Sequence, residues 1–363
     1  MKPETGNRKS NILVIGAGAI GCLVGGRLSL AGNSVTLLGR EKLARAVARS
    51  GLRLQMYDGR TQTTQPRVIT NLSQITDFST IEIVLVTVKS FDTAAAMTPL
   101  TGKLAPPTRI VSLQNGVGNE ELLMEMFPAV PVVAGSITFP VTMPEPGLVA
   151  ITKKSGAIGL AAASPNADPL PVLNVLRAAG FTVKLFADYR SLKWSKLLMN
   201  IISNAIPAIL DMPPAESLAD DRIFALEMES IAEALAVMRA AGIAPVDVPG
   251  YPVRRLARAV RWLPAPLLKV ILKPKMVGGR GQKLPSLMLD MRRGRNQSEV
   301  NVLNRMIAET GAQFGVPTPV NTTISSLLNG ILDGSVRKEV YRHSPAALWT
   351  AVNNARNEGS VGG

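Results

Sequence analysis

Short apolar runs alternate with helix-like stretches over the first half of the chain. The runs that predict strands are residues 11–15, 32–38, 52–56, 81–88, 109–113, 132–135 and 181–185. Strands that alternate with helices are typical of a parallel sheet covered by helices on both faces. The pattern therefore predicts an α/β fold whose N-terminal part is a largely parallel, doubly wound sheet.

The pattern changes near residue 188. From there on strand-like runs disappear, and apolar residues recur at the helical spacing shown by Ile223, Leu226, Met228, Ile231, Leu235 and Met238. The sequence thus predicts an N-terminal domain over 11–187 and an all-helical C-terminal domain over 188–350. It also predicts flexible tails at 1–10 and 351–363, and a glycine-rich loop over 276–285.

The first apolar run leads straight into a turn with GxGxxG spacing. The turn comprises Gly16, Ala17, Gly18, Ala19, Ile20 and Gly21, and a helix-like stretch follows it. In a dinucleotide site of this type, the first glycine permits a tight bend and the second lets the pyrophosphate approach the backbone. The third lets the helix pack closely on the strand. An incidental glycine turn is the alternative, but the strands on either side favour a Rossmann-type nucleotide site.

Arg40 follows the second predicted strand, where NAD-preferring sites usually carry an acidic residue. A guanidinium can bind the 2′-phosphate of NADPH, whereas a carboxylate would repel it. NADPH is therefore the predicted cofactor. The alternative is that Arg40, beside Glu41 and Lys42, is a solvated residue at the start of the next helix.

Composition limits the kinds of site that the chain can hold. Of its 363 residues 46% are hydrophobic, which suffices for two domains with cores of their own. Cys22 is the single cysteine and His343 the single histidine, so an intrachain disulfide is excluded and few metal ligands remain. We expect Cys22 to be a packing residue, and the protein to be cytoplasmic and to need no metal.

Much of the net charge of +14 lies in one segment. Thirteen Lys or Arg residues fall between Arg254 and Arg305, against two acidic residues, and no nucleic-acid-binding motif accompanies them. Residues 251–283 form a basic insert in which apolar residues at helical spacing alternate with cations. This insert can lie on a membrane surface. The favoured alternative is that it packs on its own protein or on a partner subunit. Binding to nucleic acid is not expected.

Three polar groups recur along one predicted helix. Lys196, Asn200 and Asn204 are spaced four apart, so one helix face carries an ammonium and two amides among apolar residues. An oxygen-rich ligand would compensate their burial, and an internal polar network is the alternative. Lys89 and Asn115 follow two predicted strands, at the sheet edge where such folds bind ligands. The alternatives there are a surface lysine and an ordinary Asn-Gly turn.

A second polar stretch follows the basic insert. Ser286 and Asp290 lie on one predicted helix, and Glu299 lies further along in a basic neighbourhood. Each has two interpretations: Ser286 binds a ligand or caps the helix, and Asp290 belongs to a site or pairs with neighbouring arginines. Glu299 completes a site or neutralises charge.

Together these motifs resemble those of the ketopantoate reductase family, the 2-dehydropantoate 2-reductases. The resemblance runs from residue 11 to about 328. Its carriers are the turn 16–21, the segments 86–89 and 114–118, residues 194–196 with Asn200 and Asn204, and the segments 286–290, 293–295 and 298–300. It implies an N-terminal Rossmann domain for NADPH, a helical C-terminal domain and a substrate cleft between them.

The resemblance also implies roles for individual residues. Lys196 would be the general acid that protonates the ketone oxygen of a 2-oxo acid as hydride arrives from NADPH. The side chains that would hold the carboxylate and hydroxyl groups of the substrate are Asn200, Asn204 and Ser286. Glu299 would assist catalysis at the polar end of the substrate, and Asn115 and Lys89 would lie where cofactor and substrate meet. The expected product is pantoate, for coenzyme A biosynthesis, and the large helical domain favours a homodimer.

The sequence departs from the family pattern in several places. One residue more than usual separates Asp290 from Glu299, and Asn301 stands where an aspartate is common. The basic insert lengthens the link between the two polar helices, and Ala205-Ile206 after Asn204 departs from the Asn-Pro-Leu run that is frequent in the family. Two alternatives therefore stay open: a reductase of another 2-oxo acid, and a noncatalytic protein that senses NADPH or docks on an acidic surface.

Overall fold

The structure is a computed structural model that describes residues 9–154, 156–280 and 284–361. Its strands are β1 (Asn11–Ile15), β2 (Ser34–Leu38), β3 (Leu52–Gln55), β4 (Thr61–Thr64), β5 (Arg67–Ile69), β6 (Ile83–Val86), β7 (Arg109–Ser112), β8 (Val132–Ile137), β9 (Val141–Glu145), β10 (Leu148–Ile151), β11 (Ile158–Ala162) and β12 (Val183–Leu185). Its helices up to the middle of the chain are α1 (Ala19–Leu30), α2 (Glu41–Ser50), α3 (Thr93–Met97), α4 (Asn119–Met126), α5 (Leu170–Ala178), α6 (Tyr189–Ile201) and α7 (Ala205–Leu210). They are followed by α8 (Pro214–Ser217), α9 (Asp221–Ala240), α10 (Val253–Trp262), α11 (Ala265–Arg280), α12 (Ser286–Arg292), α13 (Asn304–Gln313), α14 (Pro319–Asp333) and α15 (Pro345–Val361).

Eight strands form one sheet in the order β12-β11-β8-β7-β6-β1-β2-β5. All neighbours from β8 to β5 are parallel, whereas β11 runs antiparallel to β8 and β12 runs parallel to β11. The chain moves outward from β1 first to one side and then to the other, which is the doubly wound arrangement. The predicted α/β fold class is confirmed.

The sheet is buried on both faces. Ile12 and Val14 of β1 belong to one apolar cluster, and Leu13 and Ile15, which point to the opposite face, belong to another. Successive side chains of a strand alternate between faces, so a strand covered on both sides must be apolar throughout. This explains why the central strands are continuous apolar runs in the sequence.

A second sheet of four strands has the order β4-β3-β10-β9. Placing residues 52–56 in the doubly wound sheet is therefore wrong, because β3 pairs antiparallel with β4 and parallel with β10. Along β3 buried and half-buried residues alternate, which is typical of a strand with one face on the core. Leu52 and Leu54 supply that face, and both are fully buried.

The chain divides into two compact units. The first contains the residues up to Gln114 together with Gly118–Lys193, and the second contains Asn115–Val117 together with the residues from Trp194 onward. The border thus falls inside α6, and a three-residue loop after β7 belongs to the second unit. The predicted assignment of residues 11–187 to cofactor binding and 188–350 to substrate binding is a functional division, and it stays a prediction.

Helices are the regular secondary structure of the described part of the second unit, apart from a single β-bridge between Val248 and Tyr251. The last helix, α15, shows that the predicted flexible tail at 351–363 is wrong up to Val361. Leu348 and Val352 of α15 are fully buried against a core shared with α14, so the helix is held by packing. Residues 362 and 363 lie outside the described part.

Two other local predictions need correction. The predicted loop at 276–285 is wrong for its first half, because α11 continues to Arg280. Residues 281–283 lie outside the described part, and the next helix begins at Ser286. At the other end of the chain, Ser10 is buried and donates its hydroxyl to Glu82 (3.3 Å), so the predicted tail at 1–10 does not include it. No described helix is long and apolar enough to cross a membrane.

Candidate active site

The glycine-rich turn links β1 to α1 in the geometry that the sequence predicts. Gly16 has a φ of +100°, and a Cβ on it would lie 2.6 Å from the backbone nitrogen of Val88. A Cβ on Gly21 would lie 2.3 Å from the carbonyl oxygen of Gly16. Only glycine fits at these two positions. Gly18 differs, because a Cβ there would meet no protein atom within 4 Å.

The open side of Gly18 coincides with the start of α1. Gly18 is the residue that precedes the helix, and no side chain caps the free N–H groups of the first turn. Such N–H groups and the helix dipole favour an anion. The turn therefore fits the pyrophosphate of a dinucleotide. Gly16 and Gly21 pack tightly against the protein, whereas Gly18 leaves space for a ligand beside the backbone.

The neighbouring strand β6 fixes the turn from the side. Thr87, immediately after β6, donates its hydroxyl to the Gly16 carbonyl at 2.7 Å. Lys89 follows two residues later, is half-buried and precedes a short 3-10 helix, Ser90–Asp92. Because β1 and β6 are parallel neighbours, Lys89 lies at the same sheet edge as the turn. The structure thus places Lys89 where the sequence predicts it, and its ligand stays a prediction.

Arg40 follows the end of β2, two residues after Leu38. Gly39 before it packs so closely that a Cβ would lie 3.1 Å from the Cβ of Ala17. Arg40 is exposed, and its carbonyl accepts from the N–H of Leu43 at 2.9 Å, so its backbone opens α2. The structure thus shows Arg40 exposed at the start of a helix, close in sequence to Leu38, whose carbonyl accepts from the N–H of Ala17 in the glycine turn at 3.0 Å. Binding of a 2′-phosphate by Arg40 stays a prediction.

The loop after β7 packs against a later part of the second unit. The N–H of Val117 donates to the carbonyl of Val302 at 3.2 Å. Gly116 has a φ of +79°, and a Cβ on it would lie 2.5 Å from that same carbonyl oxygen. The Asn-Gly pair is therefore a turn, as its sequence indicates, and it is also a docking point. It fixes Asn115, which is exposed, next to Asn200: the amide of Asn200 donates to the Asn115 side chain at 3.4 Å.

Lys196 lies one helical turn before Asn200 on α6. Its side chain is half-buried, and its ammonium lies 5.3 Å from the centre of the Tyr251 ring. An ammonium over an aromatic face is stabilised as a cation. Ser195 beside it accepts from the N–H of Val246 at 2.8 Å, which ties the segment before Tyr251 to the same helix. Sequence reasoning missed Tyr251, because no local pattern connects it to Lys196.

The predicted helix face is interrupted before Asn204. Helix α6 ends at Ile201, and Ser203 has a φ of +48° with its N–H bound to Glu227 at 2.9 Å. The three polar residues thus do not share one continuous helix. Nor are all of them buried as expected, since Lys196 and Asn200 are half-buried.

Asn204 connects α6 to α12 through its side chain. Its amide nitrogen donates to the Asn200 carbonyl at 3.0 Å, and its amide oxygen accepts from the Ser286 hydroxyl (3.4 Å) and the Leu287 N–H (3.3 Å). Asn204 is buried, whereas Ser286 is exposed as the first residue of α12. Asn115, Asn200, Asn204 and Ser286 thus form one hydrogen-bonded chain. The predicted alternative of an internal polar network describes Asn204, and direct substrate contact by Asn204 stays a prediction.

The acidic candidates have separate places. Asp290 on α12 pairs with Arg295 at 3.0 Å, so the predicted pairing with a neighbouring arginine is what the structure shows. Glu299 is buried at the start of the 3-10 helix Glu299–Val302. Since Val302 of the same short helix binds the loop of Asn115, one element carries Glu299 and positions Asn115. A catalytic role for Glu299 stays a prediction.

A second lysine on α6 is held entirely inside the first unit. The ammonium of Lys193 lies 2.8 Å from the Glu120 carboxylate and donates to the carbonyl oxygens of Gln114 (2.7 Å) and Gly135 (3.4 Å). Both side chains are at most 3% exposed. An ammonium has three N–H donors, and here they meet three acceptors. Lys193 is a structural residue, one helical turn away from the candidate acid Lys196.

Cys22 is a packing residue, as the sequence indicates. Burial raises the pKa of its thiol to about 12, so the thiol is protonated near neutral pH. Among the residues that the structure describes, no three His, Cys, Asp or Glu side chains are grouped so that they could hold a metal ion.

Comparison with known proteins decides the family. The model of the ketopantoate reductase PanE/ApbA family matches residues 12–165, and the model of the C-terminal domain of the same family matches residues 188–332. The chain belongs to the ketopantoate reductase family. It is therefore an oxidoreductase, and the resemblance seen in the sequence is confirmed.

Relatives match along nearly their whole length. The chain is 28% identical over 331 residues to the 2-dehydropantoate 2-reductase of Halobacterium salinarum, with 87% of this chain and 97% of that protein covered. It is 27% identical over 335 residues to the 2-dehydropantoate 2-reductase of Archaeoglobus fulgidus, with 90% and 99% covered. Both matches run through the two units of this ketopantoate reductase family member.

Solved structures share the architecture. A PanE/ApbA family ketopantoate reductase from Ralstonia eutropha superposes with a TM-score of 0.75 and 26% identity over 89% of this chain and 99% of that one. D-mandelate dehydrogenase, solved with NADH and anilino(oxo)acetate, superposes with a TM-score of 0.74 at 18% identity over 89% and 99%. The second likeness concerns the fold alone, and the ketopantoate reductase fold thus also occurs in an enzyme named for another substrate.

Proposed function

We propose that this protein reduces 2-dehydropantoate to pantoate with NADPH, and that Lys196 is the general acid. The observation that carries the proposal is the arrangement around α6: a half-buried ammonium lies one turn from Asn200, which begins the hydrogen-bonded chain from Asn115 to Ser286. Family membership and the names of its relatives agree with this reaction.

The side chains of the second unit match the needs of a 2-oxo acid. As the C2 carbon accepts a hydride, negative charge develops on the ketone oxygen, and the ammonium of Lys196 stabilises it and then donates the proton. Asn200, Asn115 and Ser286 offer amide and hydroxyl donors for carboxylate and hydroxyl groups. In this scheme Asn204 orients Asn200 and Ser286 through its hydrogen bonds to both residues.

The first unit would hold the cofactor, which supplies the hydride when it is bound. Gly18 and the N–H groups at the start of α1 would bind the pyrophosphate, and Arg40 the 2′-phosphate. Lys89 lies at the same sheet edge and would contact the cofactor as well. A homodimer and a cytoplasmic location stay predictions that accompany this proposal.

The direct test is NADPH oxidation by the purified protein with 2-dehydropantoate, beside pyruvate, 2-oxoisovalerate and oxaloacetate, and with NADH in parallel. Turnover confined to 2-dehydropantoate with NADPH supports the proposal in full. Turnover of only another 2-oxo acid would contradict 2-dehydropantoate as the substrate but retain the proposed reduction of a 2-oxo acid. Tight NADPH binding without any turnover would favour the noncatalytic sensor.

The residue at position 301 favours a second candidate substrate. Asn301, where an aspartate is common in the family, accepts from the amide of Asn329 at 2.8 Å, so a neutral pair stands two residues from Glu299. Removing a negative charge near the candidate polar end of the substrate changes which groups are tolerated there. A 2-oxo acid other than 2-dehydropantoate is therefore the second candidate, and the same substrate panel decides between the two.

Replacement of Gly18 by alanine tests the cofactor turn. We expect Gly18→Ala to weaken NADPH binding by roughly tenfold or more, because the added methyl occupies space reserved for the pyrophosphate. The free protein should lose at most about 1 kcal/mol of stability, since the methyl meets no protein atom and alanine is only a poorer N-cap. Calorimetric titration with NADPH and thermal unfolding measure the two effects.

Gly21→Ala is the matched comparison for Gly18→Ala. Its Cβ would lie 2.3 Å from the Gly16 carbonyl oxygen, so the free protein itself should be destabilised. Unchanged NADPH affinity in Gly18→Ala would remove the pyrophosphate from this turn.

Arg40→Ala tests the choice between NADPH and NADH. Loss of charge-assisted hydrogen bonds to a 2′-phosphate should weaken NADPH by roughly tenfold to a hundredfold, while NADH affinity stays within about a factor of two. Arg49→Ala, an exposed arginine in the last turn of the same helix α2, is the control and should leave both affinities unchanged. Equal losses for the two nucleotides in Arg40→Ala would contradict the assignment.

A further inference from the structure

The two helices of the basic insert expose large apolar side chains. Trp262 at the end of α10 is 71% exposed, and Val270 on α11 is 72% exposed. Leu267 and Ile271, which flank Val270 on the same face of α11, are 44% and 37% exposed. Residues three and four apart on a helix lie on one face, so these α11 residues form an apolar strip that faces solvent.

The opposite sides of the two helices are fixed to the second unit. Val253 of α10 and Leu268 of α11 are buried. Lys269 and Lys273 of α11 both pair with Asp221 of α9, at 2.6 and 3.1 Å. The insert is therefore a folded part of this unit, and packing on its own protein accounts for only one side of it.

The outward side of α10 is cationic. Its exposed charged residues are Arg254, Arg255, Arg258 and Arg261, and no acidic residue occurs between Tyr251 and Arg280. Lys275 extends the positive charge on α11. In the described part of the insert, only Lys269 and Lys273 are in ion pairs with acidic side chains. Arg261 lies over the ring of Trp262, 4.9 Å from its centre, so the outward arginines keep their charge uncompensated by a carboxylate.

We propose that α10 and α11 bind the surface of a membrane rich in anionic lipid, a property that lies beyond the proposed reductase activity. Arginines attract anionic headgroups, tryptophan prefers the boundary between headgroups and acyl chains, and aliphatic side chains enter the acyl region. The insert supplies these three kinds of residue within one segment of the chain: four exposed arginines on α10, Trp262 at its end, and the apolar strip on α11.

Charge argues against a second copy of this chain on the same surface. A two-fold symmetric contact places the same patch of both copies in one interface, so eight α10 arginines would be brought together with no acidic residue of the insert to compensate them. Like charges at a contact are costly. Nucleic acid would satisfy the arginines, but it offers nothing apolar for Val270, Leu267 and Ile271. An anionic bilayer satisfies both parts of the surface.

The test is cosedimentation of the full chain with vesicles of phosphatidylcholine mixed with phosphatidylglycerol, and with vesicles of phosphatidylcholine alone. We expect binding to the mixed vesicles only, weakened by added salt because the attraction of the arginines is screened. Replacing all four arginines of α10 by glutamine should lower the partition coefficient by about 600-fold, since each cation contributes about fivefold.

A second variant separates insertion from simple charge attraction. Trp262→Ser combined with Val270→Ser should reduce vesicle binding by roughly tenfold or more at constant charge. In the unmodified chain, tryptophan fluorescence should shift to shorter wavelength on binding, and Trp262→Phe should remove that shift. Phe314→Ser, which replaces another exposed apolar residue, and Arg49→Gln are the controls and should bind as the unmodified chain does. Thermal unfolding confirms that each variant is folded.

Each contrary result overturns the proposal. Absence of vesicle binding, or equal binding to neutral vesicles, shows that the surface does not recognise anionic lipid. Binding that is unaffected by the arginine or the apolar substitutions places the contact elsewhere. If the molecular mass of the protein in solution falls in the Val270→Ser variant, the apolar strip binds a second copy of the chain. If the protein binds a DNA duplex and this binding depends on the arginines alone, the surface recognises nucleic acid. None of these readouts requires reductase turnover, so failure of the proposed reaction leaves the test intact.

Discussion

Lys196→Met is expected to lower turnover by about a hundredfold to ten-thousandfold, because the reaction loses both its proton donor and the charge that stabilises the developing alkoxide. NADPH affinity should stay within about a factor of two, since the proposed nucleotide-binding residues are those of the glycine turn, Arg40 and Lys89. Stability should fall by about 1 kcal/mol, the order of one partly exposed ammonium–aromatic contact. Steady-state kinetics, calorimetric titration and thermal unfolding measure the three quantities.

Lys103→Met is the matched control for this substitution. The ammonium of Lys103 also lies over an aromatic ring, at 5.2 Å from the centre of Phe78, but it lies far along the chain from any candidate catalytic group. Turnover should be unchanged in this variant. If Lys196→Met kept turnover within a fewfold of the unmodified enzyme, another group would have to supply the proton, and the proposed mechanism would be wrong.

Lys193→Met, one helical turn away, is expected to have the opposite signature. Removal of its ammonium leaves the Glu120 carboxylate buried without its counter-ion, and the carbonyl oxygens of Gln114 and Gly135 lose their donor. Breaking a buried pair from one side costs about 3–5 kcal/mol. Denaturant unfolding should show this loss, whereas turnover per folded molecule should change little.

A double variant identifies the cause of that loss. Lys193→Met combined with Glu120→Gln removes the stranded charge, so it should recover part of the stability of the single variant. If the double variant is as unstable as the sum of both single changes, Lys193 and Glu120 are not energetically coupled. The instability would then come from packing around Lys193, and the ion pair would carry no special weight.

The fold could be predicted largely because its central features are local in sequence. The turn at Gly16 to Gly21 is specified by spacing, and the central strands are specified by apolar runs long enough to be buried on both faces. The second sheet could not be predicted in this way. Its strand β4 is exposed along most of its length and polar in sequence, so its pairing with β3 depends on a partner and not on a pattern.

The wrong local predictions came from treating composition as decisive. Two glycines at 278 and 279 indicate a loop, yet each costs a helix only about 1 kcal/mol relative to alanine. Helix α11 is already anchored by Leu268 and by the pairs of Lys269 and Lys273 with Asp221, so it extends to Arg280. In the same way, the polar end of the chain remains helical because Leu348 and Val352 are buried.

The candidate site was predictable as a set of residues but not as an arrangement. Spacing alone relates Lys196 to Asn200, which do share one helix face. The left-handed backbone at Ser203, which turns Asn204 away from that helix, depends on Glu227 of α9. The contacts of Lys196 with Tyr251 and of Gly116 with Val302 join distant parts of the chain, and no pattern in a single sequence predicts them.

The docking of the 115–117 loop on Val302 has a consequence for biosynthesis. A chain emerges from the ribosome in order, and β7 and β8 can pair as soon as they are made. The partner of Val117, by contrast, is synthesised only when most of the helical unit has appeared. Until then Asn115 has no fixed position beside Asn200. An incomplete translation product that stops before residue 302 should therefore form the sheet but have no enzymatic activity.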